Sequence, residues 1–394
     1  MPEGLTVKKH FRRMKKMVRE LKYGMVGGDL KALIGECHRK ALGLDPRAKL
    51  VCGCFSAVDE LNDECAEAYH VDKARVYYDA EKMAEAEAGK IDFVSICTPN
   101  FVHYSVAKTF LEHGINVVCE KPLTLKVEEA EELSRLAKEK NLVFAVDYCY
   151  SGYVMCKVMK QMIARGDIGE IISVNADYME GCFLELLSEK EQVNSRIWRT
   201  DPKYSGISNT CADDGTHVEH LVHYVTGLKI KRLLATADTF GKKLDLNDNI
   251  ILEYENGAHG AYWFSQVACG SPNEINLRIY GTKGSLEWHQ TRPDEVRFAR
   301  AGEAAQLLCR AGDGIDVPAG SLARVPFGHP EGYYIAIANI YRNVIDTILK
   351  LKNGETPTEE DLDFPDVETG VSGVKFYYAV MESAQNNSKW VDVE

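Results

Sequence analysis

Two short segments of this 394-residue chain carry side chains whose types and spacing could do proton-transfer chemistry. In the first, Asp213 and His217 are four residues apart, so they share one face if the segment is helical. A carboxylate one turn from a histidine can set its tautomer and raise its basicity, which a general base needs. The same residues also suit a helix amino terminus capped by Asp213 or Asp214, with His217 satisfied locally.

The second segment is Glu120-Lys121-Pro122, which directly follows the apolar run Val117-Val118-Cys119. A residue before proline is kept out of helical geometry, so Lys121 is expected at the carboxyl end of a buried strand. Ligands of open α/β sheets bind at that edge. A strand followed by a solvated, charged turn is the alternative interpretation.

The elements that would position these side chains begin with a dinucleotide-type turn. A short strand ends in Gly27-Gly28 and leads into a helical pattern. In that context glycines let a pyrophosphate approach backbone N–H groups at a helix amino end. Asp29 stands where the motif would have its second glycine. We expect Gly27, Gly28, Asp29 and Leu30 to contact the cofactor.

Cofactor preference depends on the end of the second predicted strand, Lys49–Phe55. An NAD-specific fold typically has an acid there, and an NADP fold an arginine. Ser56 is neither, and no basic residue follows it before Lys73. The missing positive charge favours NAD over NADP, with Ser56 near the cofactor.

A further apolar strand, residues 91–97, breaks at Thr98-Pro99-Asn100, and His103 follows on the next predicted helix. Thr98, Pro99 and Asn100 are predicted to contact the cofactor. His103 either joins them or serves as a helix-cap or core histidine. Predicted helices 104–113 and 126–140 and a strand at 142–146 complete an alternation that indicates a right-handed parallel sheet.

After residue 150 the pattern changes. A helix at 154–165 precedes an alternating run, Ile171–Tyr178, which is typical of a half-exposed antiparallel strand. Four further strands are predicted at 232–240, 249–255, 258–266 and 274–280, with a hairpin at Asn256-Gly257. Residues 301–325 are predicted to form a loop, and helices are expected at 334–350 and 367–386.

The predicted fold class is α/β: a Rossmann-like parallel-sheet domain followed by an α+β domain with a large, mostly antiparallel, open-faced sheet. We expect a basic amino-terminal extension over 1–22, a dinucleotide-binding domain over 23–150 and a substrate-binding and oligomerisation domain over 151–394. The carboxyl-terminal helices are expected to pack back on the first domain.

Composition narrows the class of function. A net charge of −12 argues against a nucleic-acid or anionic-membrane binder, because both need a positive field. Twelve cysteines show no zinc spacing, so no metal site is predicted. Cys52, Cys97 and Cys119 lie in apolar runs and are predicted to be buried free thiols. Free thiols are typical of a reducing cytoplasm, which is the predicted location. Residues 5–22 are predicted to form a basic amphipathic helix. Such a helix could contact an anionic membrane or a partner, or it could pack on the chain's own acidic surface or on a neighbouring subunit.

Five motifs together carry a resemblance to a family. They are Gly-Met-Val-Gly-Gly at 24–28, Thr-Pro-Asn at 98–100 with His103, Glu-Lys-Pro at 120–122, Asp-Asp-Gly-Thr-His at 213–217 and Gly-His-Pro-Glu-Gly-Tyr at 328–333. From about Tyr23 to Val391 the chain resembles the glucose–fructose oxidoreductase / inositol dehydrogenase (Gfo/Idh/MocA) family of nicotinamide-dependent enzymes. Asp29 with Lys31 in the glycine loop and the basic amino terminus depart from that family's pattern.

The resemblance implies an NAD(P)-dependent dehydrogenase in which Lys121, Asp213 and His217 surround the reacting carbinol. Asn100, His103 and Glu120 match positions near the nicotinamide and its ribose, with Lys121 beside them. The open sheet face implies a homo-oligomer: a dimer, a tetramer or a larger assembly. Some members recycle the cofactor in place, so cofactor release stays open.

The expected chemistry is hydride transfer from a secondary alcohol to nicotinamide while a base takes the hydroxyl proton. His217 is the predicted base, oriented by Asp213, and Lys121 holds the substrate oxygen, although the lysine and histidine roles could be exchanged. The substrate is expected to be a sugar, glycoside, anhydrosugar or cyclitol, commonly oxidised at C3. The predicted substrate contacts are Tyr150, Tyr153, Trp198, Arg199, Asp213, His217 and His329. A glycoside-cleaving enzyme using transient oxidation and a non-catalytic sugar-sensing regulator are the alternatives.

Overall fold

The computed structural model describes residues 20–187, 197–313, 315 and 322–393. Two sheets organise them. The first is a five-stranded sheet in the order β2-β1-β3-β4-β5, with every neighbouring pair parallel. Its strands are β1 (Leu21–Gly27), β2 (Ala48–Cys54), β3 (Phe93–Cys97), β4 (Asn116–Cys119) and β5 (Phe144–Val146). Every residue of β3 is buried, as expected for a central strand covered on both faces.

Helices connect these strands. They are α1 (Leu33–Leu42), α2 (Asp59–Ala68), α3 (Ala80–Glu87), α4 (His103–Glu112) and α5 (Val127–Glu139). The predictions for α4 and α5 are confirmed to within one residue at each end. The parallel, Rossmann-type sheet is therefore confirmed, and its carboxyl edge carries the segments that follow β1, β3 and β4.

The second sheet has nine strands in the order β13-β12-β11-β10-β6-β9-β8-β7-β14. They are β6 (Ile171–Met179), β7 (Ile230–Asp238), β8 (Asn247–Tyr254), β9 (His259–Ser265), β10 (Glu274–Gly281), β11 (Gly284–His289), β12 (Glu295–Arg300), β13 (Gln306–Cys309) and β14 (Val391–Asp392). Buried and exposed residues alternate along most strands, so one face packs on the core and the other faces outward.

Two expectations for this sheet, and one for the amino terminus of the chain, need correction. The strand β6 pairs antiparallel with β10 but parallel with β9, so it is not simply antiparallel. The strand β13 lies inside the segment predicted to be a loop. The amino-terminal helix was predicted to include Leu21 and Lys22, yet both residues belong to β1, where Leu21 is fully buried. Residues 5–19 of that predicted helix lie outside the described residues.

The remaining helices join the two sheets into one core. They are α6 (Val154–Ala164), α7 (Pro202–Ser205), α8 (Thr216–Thr226), α9 (Tyr333–Lys352) and α10 (Val367–Gln385). Tyr341 of α9 makes a 2.6 Å hydrogen bond with His38 of α1. The Pro365 carbonyl, just before α10, accepts from the Val146 N–H of β5 at 2.9 Å. The carboxyl-terminal helices thus contact the parallel-sheet region directly.

Two smaller points concern the whole chain. All twelve cysteines are free thiols, and Cys52, Cys97 and Cys119 are buried, as the sequence predicts. None of the helices within the described ranges combines the length and apolar character that a bilayer crossing requires.

Candidate active site

A cavity of about 870 Å³ opens between the carboxyl edge of the parallel sheet and the segments around α8. It brings together residues that are far apart in the chain. The predicted site residues that line it are Asp29, Thr98, Pro99, Asn100, Glu120, Lys121, Tyr150, Tyr153, Trp198, Arg199, Asp213 and His217. The size suits a ligand larger than a single sugar ring, since ordinary small-molecule pockets run to about 1,000 Å³.

Lys121 lies two residues past the end of β4, and its side chain is only 14% exposed. Its ammonium donates to the carboxylate of Asp213 and, at 2.9 Å, to the Asp213 carbonyl. Burial opposes the charge, but the carboxylates of Asp213 and Asp214 outweigh it and raise the pKa of Lys121. Lys121 is therefore a buried cation facing the cavity, and the solvated-turn interpretation of this segment is wrong.

Asp213 belongs to a π-helical turn, Cys211–Gly215, that leads directly into α8. Such wide turns are frequent at functional sites. Its carboxylate accepts from Lys121, from Arg199 and, at 3.2 Å, from Gln266. Burial favours the neutral acid, yet the positive charges of Arg199 and Lys121 lower the pKa of Asp213 well below its ordinary value. Asp213 is accordingly an ionised carboxylate held between two cations.

His217 lies in the first turn of α8 and is 5% exposed. Aromatic rings surround it: its centroid lies 4.7 Å from that of Tyr150 and 5.7 Å from that of Tyr148. Its Nδ1 is buried and has no hydrogen-bond partner within the described part of the chain. Burial, together with the charge of Lys121, lowers the pKa of His217 well below its ordinary value. The imidazole is therefore neutral and able to accept a proton.

The expected pairing of Asp213 with His217 needs correction. The partners of the Asp213 carboxylate are Lys121, Arg199 and Gln266, and the tyrosine rings are what hold the imidazole in place. The alternative in which an aspartate caps the helix is also wrong, because Gly215 occupies the N-cap of α8 without any side-chain cap. The two residues share the cavity without a hydrogen bond between them.

The glycine loop after β1 is tightly packed. Gly27 and Gly28 have φ angles of +77° and +76°, which residues other than glycine rarely adopt. A Cβ on Gly27 would lie 2.7 Å from the Cys97 carbonyl oxygen, and one on Gly35 would lie 2.1 Å from the Gly28 Cα. These glycines therefore let the loop pack directly against the end of β3 and against α1, whose first turn lines the cavity.

Polar atoms without hydrogen-bond partners line the cavity between this loop and Lys121. Thr98 Oγ1 and Asn100 Oδ1 are buried, lack hydrogen-bond partners within the described residues, and belong to side chains that line the cavity. A close-approach glycine loop followed by free polar atoms fits a dinucleotide laid along the sheet edge.

Several predicted residues lie outside the cavity lining. Ser56 is not a lining residue, but its hydroxyl donates to the Asp29 carboxylate at 3.1 Å. His103 is 1% exposed, and its two ring nitrogens lie 2.9 Å from the carbonyl oxygens of Thr98 and Pro122. It thus ties together the two loops that bear Asn100 and Lys121. Gly27, Gly28 and Leu30 are adjacent to the cavity in the loop, and His329 is exposed, with its carbonyl bound by Arg310.

Sequence reasoning missed a buried polar cluster that connects two lining residues of the cavity, Glu120 and Asp147, to His38 of α1. His38 Nε2 lies 2.8 Å from Glu120 and 3.2 Å from Asp147, and Tyr341 bonds to both His38 and Ser95. It also missed Glu180, Asn209 and Asp214, which line the cavity. Of these residues, Glu120 was itself predicted from the Glu-Lys-Pro motif, and Asp214 adjoins Asp213 in the chain, whereas His38 is connected to the site only through the fold.

Comparisons with known proteins agree with this geometry. Residues 21–148 match the Gfo/Idh/MocA oxidoreductase family with an NAD-binding Rossmann fold, and residues 156–287 match its C-terminal domain. An uncharacterised oxidoreductase, YfiI, of Bacillus subtilis is 33% identical over 94% of this chain and 96% of its own. The chain therefore belongs to the Gfo/Idh/MocA family: it is an oxidoreductase, and its cofactor is NAD.

Two further relatives carry ligand information of their own. The crystal structure of an inositol dehydrogenase homologue from Azotobacter vinelandii, complexed with NADH and myo-inositol, is 32% identical, with a TM-score of 0.87 over 95% of this chain and 98% of that one. Levoglucosan dehydrogenase of Pseudarthrobacter phenanthrenivorans is 29% identical over 55% of this chain and 60% of its own. The family thus includes dehydrogenases of sugars and cyclitols.

Proposed function

We propose that the protein oxidises a secondary hydroxyl of a sugar, glycoside, anhydrosugar or cyclitol, with NAD as hydride acceptor. The observation that carries this proposal is the pairing of a buried cation, Lys121, with a neutral buried imidazole, His217, at one end of the dinucleotide cavity. A cation and a base converging on one point suit an alcohol that loses a proton and a hydride together. Relatives with named substrates act on levoglucosan, and on D-glucosides at C3.

The substrate end of the cavity supports a polyhydroxylated ring. Asp214 Oδ2 and Asn209 Oδ1 are buried without partners within the described residues, and Glu180 lies beside Asp214. Burial and the charges of Asp213 and Glu180 raise the pKa of Asp214. Clustered side-chain oxygens beside aromatic rings are how proteins bind sugar hydroxyls and faces.

The residues have distinct roles in the proposed reaction. NAD, when bound, supplies the electrophilic carbon that takes the hydride. Lys121 donates a hydrogen bond to the reacting oxygen and stabilises its developing negative charge. His217 accepts the hydroxyl proton at Nε2, because its other ring nitrogen, Nδ1, is buried. Asp213 keeps Lys121 charged and in place, and Arg199 contacts both Asp213 and the substrate.

The raised pKa of Lys121 and the lowered pKa of His217 favour this assignment over the exchanged one. A lysine held as a cation by Asp213 is a poor base near neutral pH. An imidazole that stays neutral is ready to accept a proton over the same range.

The test is a screen of inositols, glucosides and anhydrosugars with NAD, following the near-ultraviolet absorbance of reduced nicotinamide. Substrates deuterated at the carbinol carbon should react more slowly when hydride transfer limits the rate. His217→Asn should lose turnover while still binding NAD. Release of an aglycone without net NADH would instead identify the glycoside-cleaving enzyme. Binding of sugars without any turnover across the panel would identify a sensor.

We further propose a homo-oligomer formed through the outer face of the nine-stranded sheet. Ile251, Trp263 and Tyr280 lie on that face with 45%, 49% and 41% exposure. Neighbouring strands place Ile251 and Trp263 close together, giving an apolar patch of the kind that marks interfaces. Light scattering of the wild type and of Trp263→Glu tests this: the variant should dissociate, and a monomeric wild type would refute the proposal.

A further inference from the structure

Two departures from the dinucleotide motif meet in the folded chain. Asp29 replaces a loop glycine, and Ser56 stands where the second strand of an NAD-specific fold would have its acid. The two residues are 27 apart, yet Ser56 Oγ donates to Asp29 Oδ2 at 3.1 Å. This contact follows from the sheet order, because β1 and β2 are neighbours and pair Val26 with Cys54. Asp29 lines the cavity, whereas Ser56 does not.

We propose that Asp29, held in place by Ser56, is the residue by which this chain selects NAD against NADP. The carboxylate reaches the end of β2 from the glycine loop instead of from the strand itself. There it would accept a hydrogen bond from the 2′-hydroxyl of the adenosine ribose and repel a 2′-phosphate. Ser56 acts as a positioning residue. This inference rests on the proposed function only in requiring that the cavity binds NAD.

The surrounding charges agree with this role. Arg39, on α1 near the loop, could otherwise serve a phosphate, but its guanidinium donates to the Gly28 carbonyl at 2.5 Å. It also lies 3.7 Å from the centre of the Tyr69 ring, so protein groups already engage it. Lys31 lines the cavity close to Asp29 and offsets the negative charge that Asp29 adds near the pyrophosphate.

A purely structural role for Asp29 makes a different prediction. Asp29 Oδ1 accepts from the Lys31 N–H at 2.9 Å, which closes an Asx-type turn inside the loop. If that turn were its whole purpose, replacing Asp29 would weaken every nucleotide ligand alike. A selectivity role requires the ratio between ligands with and without a 2′-phosphate to change. Asp29→Asn separates the two, because asparagine keeps the turn and the Ser56 contact but removes the charge.

The experiment measures binding of ADP-ribose and 2′-phospho-ADP-ribose by isothermal titration calorimetry, without any substrate. Wild type should strongly prefer ADP-ribose, and Asp29→Asn should reduce that preference by about tenfold or more, as expected for loss of a charged hydrogen bond and a repulsion. Ser56→Ala should reduce it less. Glu67→Gln, which removes an exposed charge from α2 outside the cavity lining, should leave the ratio unchanged.

Two outcomes would overturn the inference. An unchanged ratio in Asp29→Asn, with both ligands weakened equally, would assign Asp29 to the turn alone. Preference of the wild type for 2′-phospho-ADP-ribose would assign Lys31 to the phosphate instead. Because neither ligand can react, these results are independent of whether the protein oxidises sugars. Failure of the sugar screen with an intact ADP-ribose preference would refute only the proposed function.

Discussion

Replacing Lys121 with methionine is the sharpest test of how the site works. Methionine keeps an unbranched side chain of similar length but removes the ammonium that contacts Asp213. Loss of one preorganised donor to a developing negative charge lowers kcat by about 10²- to 10³-fold. We expect a loss of that size, with NAD binding within about twofold of the wild type.

Stability should change much less than activity in this variant. Asp213 would keep Arg199 and the 3.2 Å bond from Gln266, so its carboxylate would not be left without a counter-charge. We therefore expect the free energy of unfolding to fall by about 2 kcal/mol, the value of one hydrogen bond to a charged group. Stripping a buried carboxylate of its sole cation would cost more, about 3–5 kcal/mol.

The pH profile of kcat/KM gives an independent readout of the same change. The positive charge of Lys121 helps to lower the pKa of His217, so removing it should move the acid limb to higher pH. The measurement is steady-state kinetics across pH with the best substrate of the screen. Lys126→Met is the matched control, because Lys126 is 64% exposed and forms only a 3.5 Å surface ion pair. An unchanged kcat with an unmoved acid limb would refute the assigned role of Lys121.

Three further changes test the packing and the buried charges. The pKa of His220 is lowered to about 3 by burial and then by the charge of His223, so only the unfolded chain takes up this proton below its ordinary pKa. The stability that this group contributes is present above about pH 6.5 and is lost on acidification. The free energy of unfolding of the wild type should therefore be lower at about pH 5 than at about pH 8. In His220→Phe this difference, measured by chemical denaturation, should be about 2 kcal/mol smaller. Gly35→Ala should weaken NAD binding at least about tenfold, because its Cβ would lie 2.1 Å from the backbone of Gly28, whereas the control Gly43→Ala should not. Equal NAD affinities of the two variants, measured by calorimetry, would refute the requirement for close packing at Gly35. Asp363→Asn should cost about 3 kcal/mol in urea unfolding, because it removes the negative charge that buried Lys157 contacts at 2.5 Å; a loss below about 1 kcal/mol would contradict that reasoning.

Much of the fold could be predicted because its patterns are local. The strands of the parallel sheet are short apolar runs, and the helices α4 and α5 have clear amphipathic periods, so both were located closely. The strand β13 could not be recognised in the same way. Two of its four residues are exposed, and it is defined by pairing with β12, so its own residues carry little signal.

The same difference between local patterns and long-range contacts applies to the residues of the candidate site. Lys121, Asp213 and His217 were found because each sits in a short motif, and the cavity does contain all three. Their pairing was predicted wrongly, since spacing alone joined Asp213 to His217. The π-helical turn and the 92-residue separation from Lys121 decide which partner the carboxylate meets. His38 had no motif to mark it and was missed.

By itself, the sequence determined the order of strands and helices, the glycine loop and the residue types available for chemistry, because these depend on neighbours along the chain. Only the tertiary structure decided which of those residues meet and what charge each carries. Interaction between charges depends on distance and burial, which are properties of the fold. That is why Lys121 becomes a fixed cation, His217 a neutral imidazole and Asp29 a neighbour of Ser56 only once the chain is folded.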